Sequence, residues 1–158
     1  MKSDVIRVYA DSSVFGGTFD EEFAIVSRRF FDQVGAGRFS MLSSFLVADE
    51  VGKGPDQVRA LFDRFLPTAE LVRVEPESLA LQAAYLSARI VSPKWSDDAL
   101  HVALATVAEA DLIVSWNFRH IVHFEKIRRY NAVNRLHGWR ELGIHSPREV
   151  ITYEDQDV

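Results

Sequence analysis

Cysteine is absent from the 158 residues, which excludes a disulfide scaffold, a thiolate nucleophile, a cysteine-ligated zinc and a cysteine-held iron–sulfur cluster. Proline and glycine are scarce, at 5 and 8 residues, so the chain is neither collagen-like nor low-complexity. No window approaches the ~18 uninterrupted apolar residues that a membrane span needs. The stretch Val5–Ala10 after Met1-Lys2-Ser3-Asp4 is too short for the apolar core of a secretory signal. These absences predict a cytoplasmic protein with no membrane partner. Chemical motifs are missing too: Gly16-Gly17 is not followed by Gly-Lys-Ser/Thr, and no dinucleotide fingerprint or serine-hydrolase elbow occurs.

What is present suits one folded domain. Hydrophobic residues make up 47% and charged residues 26%, a mixture that can bury a core without a staple. The formal charge of -5 is unevenly spread. Residues 112–148 carry Arg119, Lys126, Arg128, Arg129, Arg135, Arg140 and Arg148 against Glu125 and Glu141, whereas the last ten residues hold four acids and no base. The basic stretch is either a solvated helix or a phosphate-facing surface, and charge alone does not choose. The domain is placed at 1–150, with 151–158 as an acidic tail.

Val5–Ala10 mixes β-branched and aromatic residues and stops at Asp11-Ser12-Ser13, which predicts a strand and then a turn. Arg7 within it requires a carboxylate or an exit to solvent. A helix is expected from the acids Asp20-Glu21-Glu22 to Gly35, then a strand over 38–42 and a helix capped by Ser43-Ser44. Further helices are expected over 56–66, from Pro76 to about Ile90, from Asp97 to Ala110 behind a Ser96 cap, over 118–122 and over 124–136. Strands are expected at 71–74 and 112–115. The alternation predicts a small parallel sheet with helices on both faces. The apolar residues of the helices at 21–34 and 56–66 suggest a partner-facing surface, hence a homodimer.

In such a sheet, ligands collect beyond the carboxyl ends of the strands. Asp11 falls at one such end, Glu50 on the helix after the second strand, and Asp98 in the first turn of an alanine-rich helix. Each has an ordinary role open to it: a turn, a surface acid, a first-turn acid. Together they can form a pocket of hard oxygens, which suits Mg²⁺ or Mn²⁺ and phosphoester hydrolysis.

These residues carry a resemblance. Val8-Tyr9-Ala10-Asp11-Ser12-Ser13-Val14, Ser43–Val51, Asp98–Ala105 and Ala110–Asn117 are similar, in order and spacing, to the motifs of PIN-domain proteins, in particular the VapC-type toxin ribonucleases of toxin–antitoxin pairs. The resemblance implies a single PIN-like α/β domain and a metal-dependent endoribonuclease. Asp11, Glu50 and Asp98 would be its catalytic and metal-binding acids, and RNA and a small antitoxin its partners. Ser13 and Ser115 would support the cluster. Asn117 stands where the family has a fourth acid, which implies one firmly held ion and a second that leans on substrate phosphate. Asp49 and Asp97 are neighbouring alternatives to Glu50 and Asp98. Two other readings remain open: a weak or inactive interaction module, and a structure-specific DNA nuclease.

His101, Trp116 and Arg119 are the candidates for contact with substrate. His101 lies one turn beyond Asp98, and Trp116 could stack on a base. His120 and His123 are spaced like a metal pair, but no third ligand accompanies them.

Overall fold

The computed structural model describes residues 5–153; most of the expected acidic tail, 154–158, lies outside them. The elements run β1 (Ile6–Ala10), α1 (Ser12–Gly17), α2 (Ala24–Gly35), β2 (Phe39–Ser44), α3 (Phe45–Gly52), α4 (Asp56–Phe65) and β3 (Glu70–Val72). They continue with α5 (Pro76–Ser87), α6 (Ser96–Val107), β4 (Leu112–Val114), α7 (Phe124–Leu136), β5 (Gly143–His145) and α8 (Pro147–Val150). The strands form one parallel sheet in the order β3-β2-β1-β4-β5. Helices α1 to α4 pack among themselves with α8 against α2, while α5 packs on α6 and α7. The expected α/β class with a helix-flanked parallel sheet is what the chain adopts.

The strand order places the switch point at β1. The chain leaves β1 towards β2 on one side and returns to β4 on the other, with Tyr9 opposite both Leu42 and Ile113. Val8, Tyr9 and Ala10 are wholly buried, as a central parallel strand demands. Arg7 finds its carboxylate. Its guanidinium pairs with Glu70 at 2.7 Å and donates to the carbonyls of Ala108 and Glu109 just beyond α6, where the helix end favours a cation.

Several elements differ from expectation for local reasons. Asp11-Ser12-Ser13 does not merely turn: the Asp11 carboxylate accepts from Ser13 N at 3.1 Å and caps α1. Ser44 belongs to β2 and caps α3 by accepting from Val47 N at 3.2 Å. No helix forms over 118–122, because the Asn117 side chain takes the backbone N–H groups of Arg119 and His120 at 3.2 and 2.9 Å. Such local bonds compete with a helical ladder. Strand β5, Gly143-Ile144-His145, carries a single β-branched residue and so shows no strand pattern in the sequence. Trp95, not Ser96, occupies the N-cap position of α6.

The surface assigned to a partner on 21–34 and 56–66 is largely interior. Phe15 packs on Phe31 and Phe62 with ring centroids 4.9 and 5.3 Å apart, and Phe31 on Phe65 at 5.0 Å. Burying each such ring contributes about 1.5–3 kcal/mol, so the domain itself consumes these faces. Ile25, 71% exposed, is the exception on α2. Ile151 is buried, and Thr152 exchanges backbone bonds with the Gln33 side chain at 3.0 and 3.1 Å.

Candidate active site at the carboxyl edge of the sheet

Asp11 follows the last residue of β1 and is 4% exposed. Its carboxylate accepts from Ser13 N, from Ser13 Oγ at 2.5 Å and from Ser115 Oγ at 2.5 Å. Ser115 follows β4, directly beside β1, and Ala10 is in register with Val114. The two hydroxyls are themselves fixed: Trp116 N donates to Ser13 Oγ at 2.8 Å and Asn117 N to Ser115 Oγ at 2.9 Å. Burial pushes the Asp11 carboxyl above its ordinary range, although His101 and both serines favour the charged form.

Glu50 lies on α3, half-buried. Its Oε1 accepts from His101 Nε2 at 2.6 Å and from Ser12 Oγ at 3.0 Å. Burial opposes its charge, but the hydrogen bond and charge of His101, with Ser12, outweigh burial and hold its pKa below the ordinary glutamate value. His101 shows the mirror image. Burial disfavours the imidazolium, yet Glu50, Asp11 and Asp98 together raise its pKa. Asp98 is half-buried at the start of α6. Burial raises its pKa against the charges of His101 and His120 and a hydrogen bond from Asn117. The acids after β1, on α3 and on α6 thus share one electrostatic environment, with an imidazole among them.

Of the alternatives, Asp49 is exposed and pairs with Lys53 at 3.2 Å, and Asp97 is exposed. Two of the substrate candidates do not face outward. His101 is 1% exposed, and Trp116, 7% exposed, stacks on Phe23 at 4.2 Å with Nε1 donating to Ser27 Oγ at 2.9 Å. A ring stacked on Phe23 and only 7% exposed offers no open platform to a base, so Trp116 is a wall of the cluster. Arg119 is exposed on the turn after Asn117.

His120 and His123 do not form a metal pair. His123 is exposed ahead of α7, whereas His120 stacks on Trp95 at 4.3 Å, and its ring nitrogens meet no partner among the described residues. Residues not singled out from the sequence also take part: Tyr9, Ser12 and Ser44. Tyr9 was hidden by its own strand alternation, which gives an inward position without saying what the hydroxyl meets.

The basic segment is mostly occupied by its own protein. Lys126 donates to the Arg119 carbonyl at 2.5 Å, Arg129 to the carbonyl of Ala88, Arg135 to Glu141, and Arg140 to the carbonyl of Glu109. That favours a structural, solvated helix over a continuous phosphate track.

The donor set consists of hard carboxylate oxygens. Among the described residues, no three His, Asp or Glu side chains stand close enough to enclose a metal ion. An all-protein cage is therefore not built. A hydrated Mg²⁺ or Mn²⁺, which takes one or two carboxylates and completes its shell with water and phosphate oxygen, suits these donors better.

The five-strand parallel sheet with its flanking helices defines an α/β protein, consistent with the expected PIN-like fold. No family model matches the chain, and no curated protein matches it. Among solved structures it is similar to a chain of VapBC2 from Rickettsia felis, a crystal structure bound to a DNA fragment from their promoter. The identity is 14% and the TM-score 0.54, over 72% of this chain and 90% of that one. At this identity the likeness concerns the fold. No helix among the described residues is long and apolar enough to cross a membrane.

Proposed function

We propose that this protein is a metal-dependent endoribonuclease and the toxin member of a toxin–antitoxin pair. The observation that carries the reading is the Glu50 carboxylate bonded to His101 at 2.6 Å, with Asp11 held by Ser13 and Ser115 at the end of β1 and Asp98 acting on the same imidazole. The fold shared with a VapBC2 chain agrees with a partner antitoxin. Asp11 and Asp98, with Glu50 beside them, would hold Mg²⁺ or Mn²⁺. When bound, that ion would activate water and neutralise the charge that develops on phosphate. Ser13 and Ser115 hold the Asp11 carboxylate in one orientation, Asn117 favours the charged form of Asp98, and Arg119, exposed two residues after Asn117, would be available to the substrate backbone. A homodimer remains part of the reading, but on exposed residues such as Phe45, 61% exposed, and not on the interior faces of α2 and α4.

One observation favours a second reading, a catalytically weak interaction module: the acids are satisfied by internal partners and are not drawn into a closed ligand set. The experiment is cleavage of an RNA library and of matched DNA in Mn²⁺, by the wild type and by Asp11→Asn. The nuclease reading expects RNA to be cut, DNA to be spared, and activity to vanish in Asp11→Asn. Its melting temperature should be kept, because the amide oxygen still accepts from Ser13. Equal cleavage by both proteins would sink the assignment, and no cleavage by either would favour the module.

A further inference from the structure

Behind Glu50 runs a chain of polar groups that no solvent reaches. Ser44 Oγ lies 2.8 Å from Tyr9 Oη, Tyr9 Oη lies 2.7 Å from His101 Nδ1, and His101 Nε2 lies 2.6 Å from Glu50 Oε1. Ser44 and Tyr9 are 0% exposed and His101 is 1% exposed. The chain links β2, β1, α6 and α3, and only its last member, Glu50, reaches the acidic cleft. We infer that Tyr9 and His101 are positioning residues: a buried hydroxyl–imidazole relay that fixes the Glu50 carboxylate for its work in the cleft. The inference rests on the nuclease reading above.

Packing alone does not call for this chain. Buried polar partners can often be exchanged for apolar groups of the same shape at little loss of stability. A Phe and a Leu would fill these positions, yet the core carries three hydrogen-bonding groups aligned towards one carboxylate. The end of the chain is specific as well. His101 Nε2 and Ser12 Oγ both bond Oε1, and among the described residues no donor is paired with Oε2. One oxygen is clamped and the other is left to the cleft, in the manner of a group that orients a ligating carboxylate from behind.

The clamp does not depend on the charge of the imidazole. With His101 neutral, Nε2–H donates to Glu50, Nδ1 accepts from the Tyr9 hydroxyl, and the Ser44 hydroxyl can donate to Tyr9. With His101 protonated, both ring N–H groups donate, and Tyr9 passes its own proton towards Ser44. Glu50 receives a donor in each case.

The test uses the full chain. Tyr9→Phe removes only the hydroxyl and keeps the ring; His101→Leu removes the clamp; His101→Gln offers a donor in its place. The first readout needs no activity. In the metal-free protein, ¹⁵N-edited NMR should show the His101 Nε2–H as a slowly exchanging resonance that moves in Glu50→Gln and exchanges faster in Tyr9→Phe. The second is calorimetric Mn²⁺ binding together with kcat and KM on a cleaved RNA. His101→Leu should lose about 10–100-fold in Mn²⁺ affinity or kcat, Tyr9→Phe should lose less, and His101→Gln should recover part, with KM little changed in all three. Absence of the protected resonance overturns the relay. So do folded Tyr9→Phe and His101→Leu proteins with wild-type Mn²⁺ affinity and kcat. A wild type that shows the resonance but neither binds Mn²⁺ nor cuts RNA overturns the nuclease reading itself and, with it, the positioning role.

Discussion

Two adjacent glycines in α1 should respond in opposite directions to the same substitution. A Cβ at Gly17 would lie 2.8 Å from both Cδ1 and Nε1 of Trp116 and 2.9 Å from Ser27 Oγ. The indole cannot step aside freely, since it stacks on Phe23 at 4.2 Å and donates to Ser27 at 2.9 Å. Overpacking a filled core costs about 1–3 kcal/mol, and breaking the buried indole bond adds about 1 kcal/mol. Gly17→Ala should therefore destabilise by roughly 2–4 kcal/mol. At about 2–4 °C per kcal/mol for a chain of this size, the melting temperature should fall by about 5–15 °C. At Gly16 nothing lies within 4 Å of the new Cβ, and replacing a helical glycine by alanine contributes about 0.5–1 kcal/mol of stability. Gly16→Ala should thus melt slightly higher than the wild type. Scanning calorimetry, with near-ultraviolet circular dichroism to follow Trp116, measures both. The consequence reaches the site, because Trp116 N donates to Ser13 Oγ, which in turn holds Asp11. A Gly17→Ala protein that melts with or above the wild type would refute the packing of Trp116 against α1.

Asn117→Asp should lower the melting temperature of the metal-free protein, since it replaces a neutral side chain that favours the charged form of Asp98 with a like charge. Added Mn²⁺ should restore that loss and bind more tightly than to the wild type; unchanged melting and unchanged titrations would place Asn117 outside the acidic cluster. The His101–Glu50 pair gives the metal-free protein a pH dependence with two limbs. The stability from His101, whose pKa is raised in the fold, is fully present below the ordinary histidine value and is lost as pH rises through the raised one. The stability from Glu50, whose pKa is lowered, is present above the ordinary glutamate value and is lost as pH falls through the lowered one. Asp11 and Asp98, both raised, add to the loss on the rising side as they ionise. Melting curves across pH should fall off as pH rises above the ordinary histidine value in the wild type and less steeply in His101→Gln, and parallel curves would show that the pair does not titrate with folding.

The sequence by itself determined those features that depend on local pattern. Alternating helices and apolar strands are readable as periodicity, so the parallel α/β class and the placement of Asp11, Glu50 and Asp98 after successive elements were available from the chain alone. Tertiary structure decided what each side chain meets. Periodicity puts Tyr9 on an inward position and His101 on a buried helix, but their alignment on Glu50 requires α6 to bring His101 between Tyr9 of β1 and Glu50 of α3. The same limit explains Trp116: large aromatics at a site edge look alike in sequence whether they stack on a ligand or on Phe23. It also explains the interior faces of α2 and α4, whose apolar residues read equally as core or as interface until Phe15 is brought against them. Pattern gives the face of an element; the partner across that face is set by contacts between residues far apart in the chain, and only the folded arrangement supplies them.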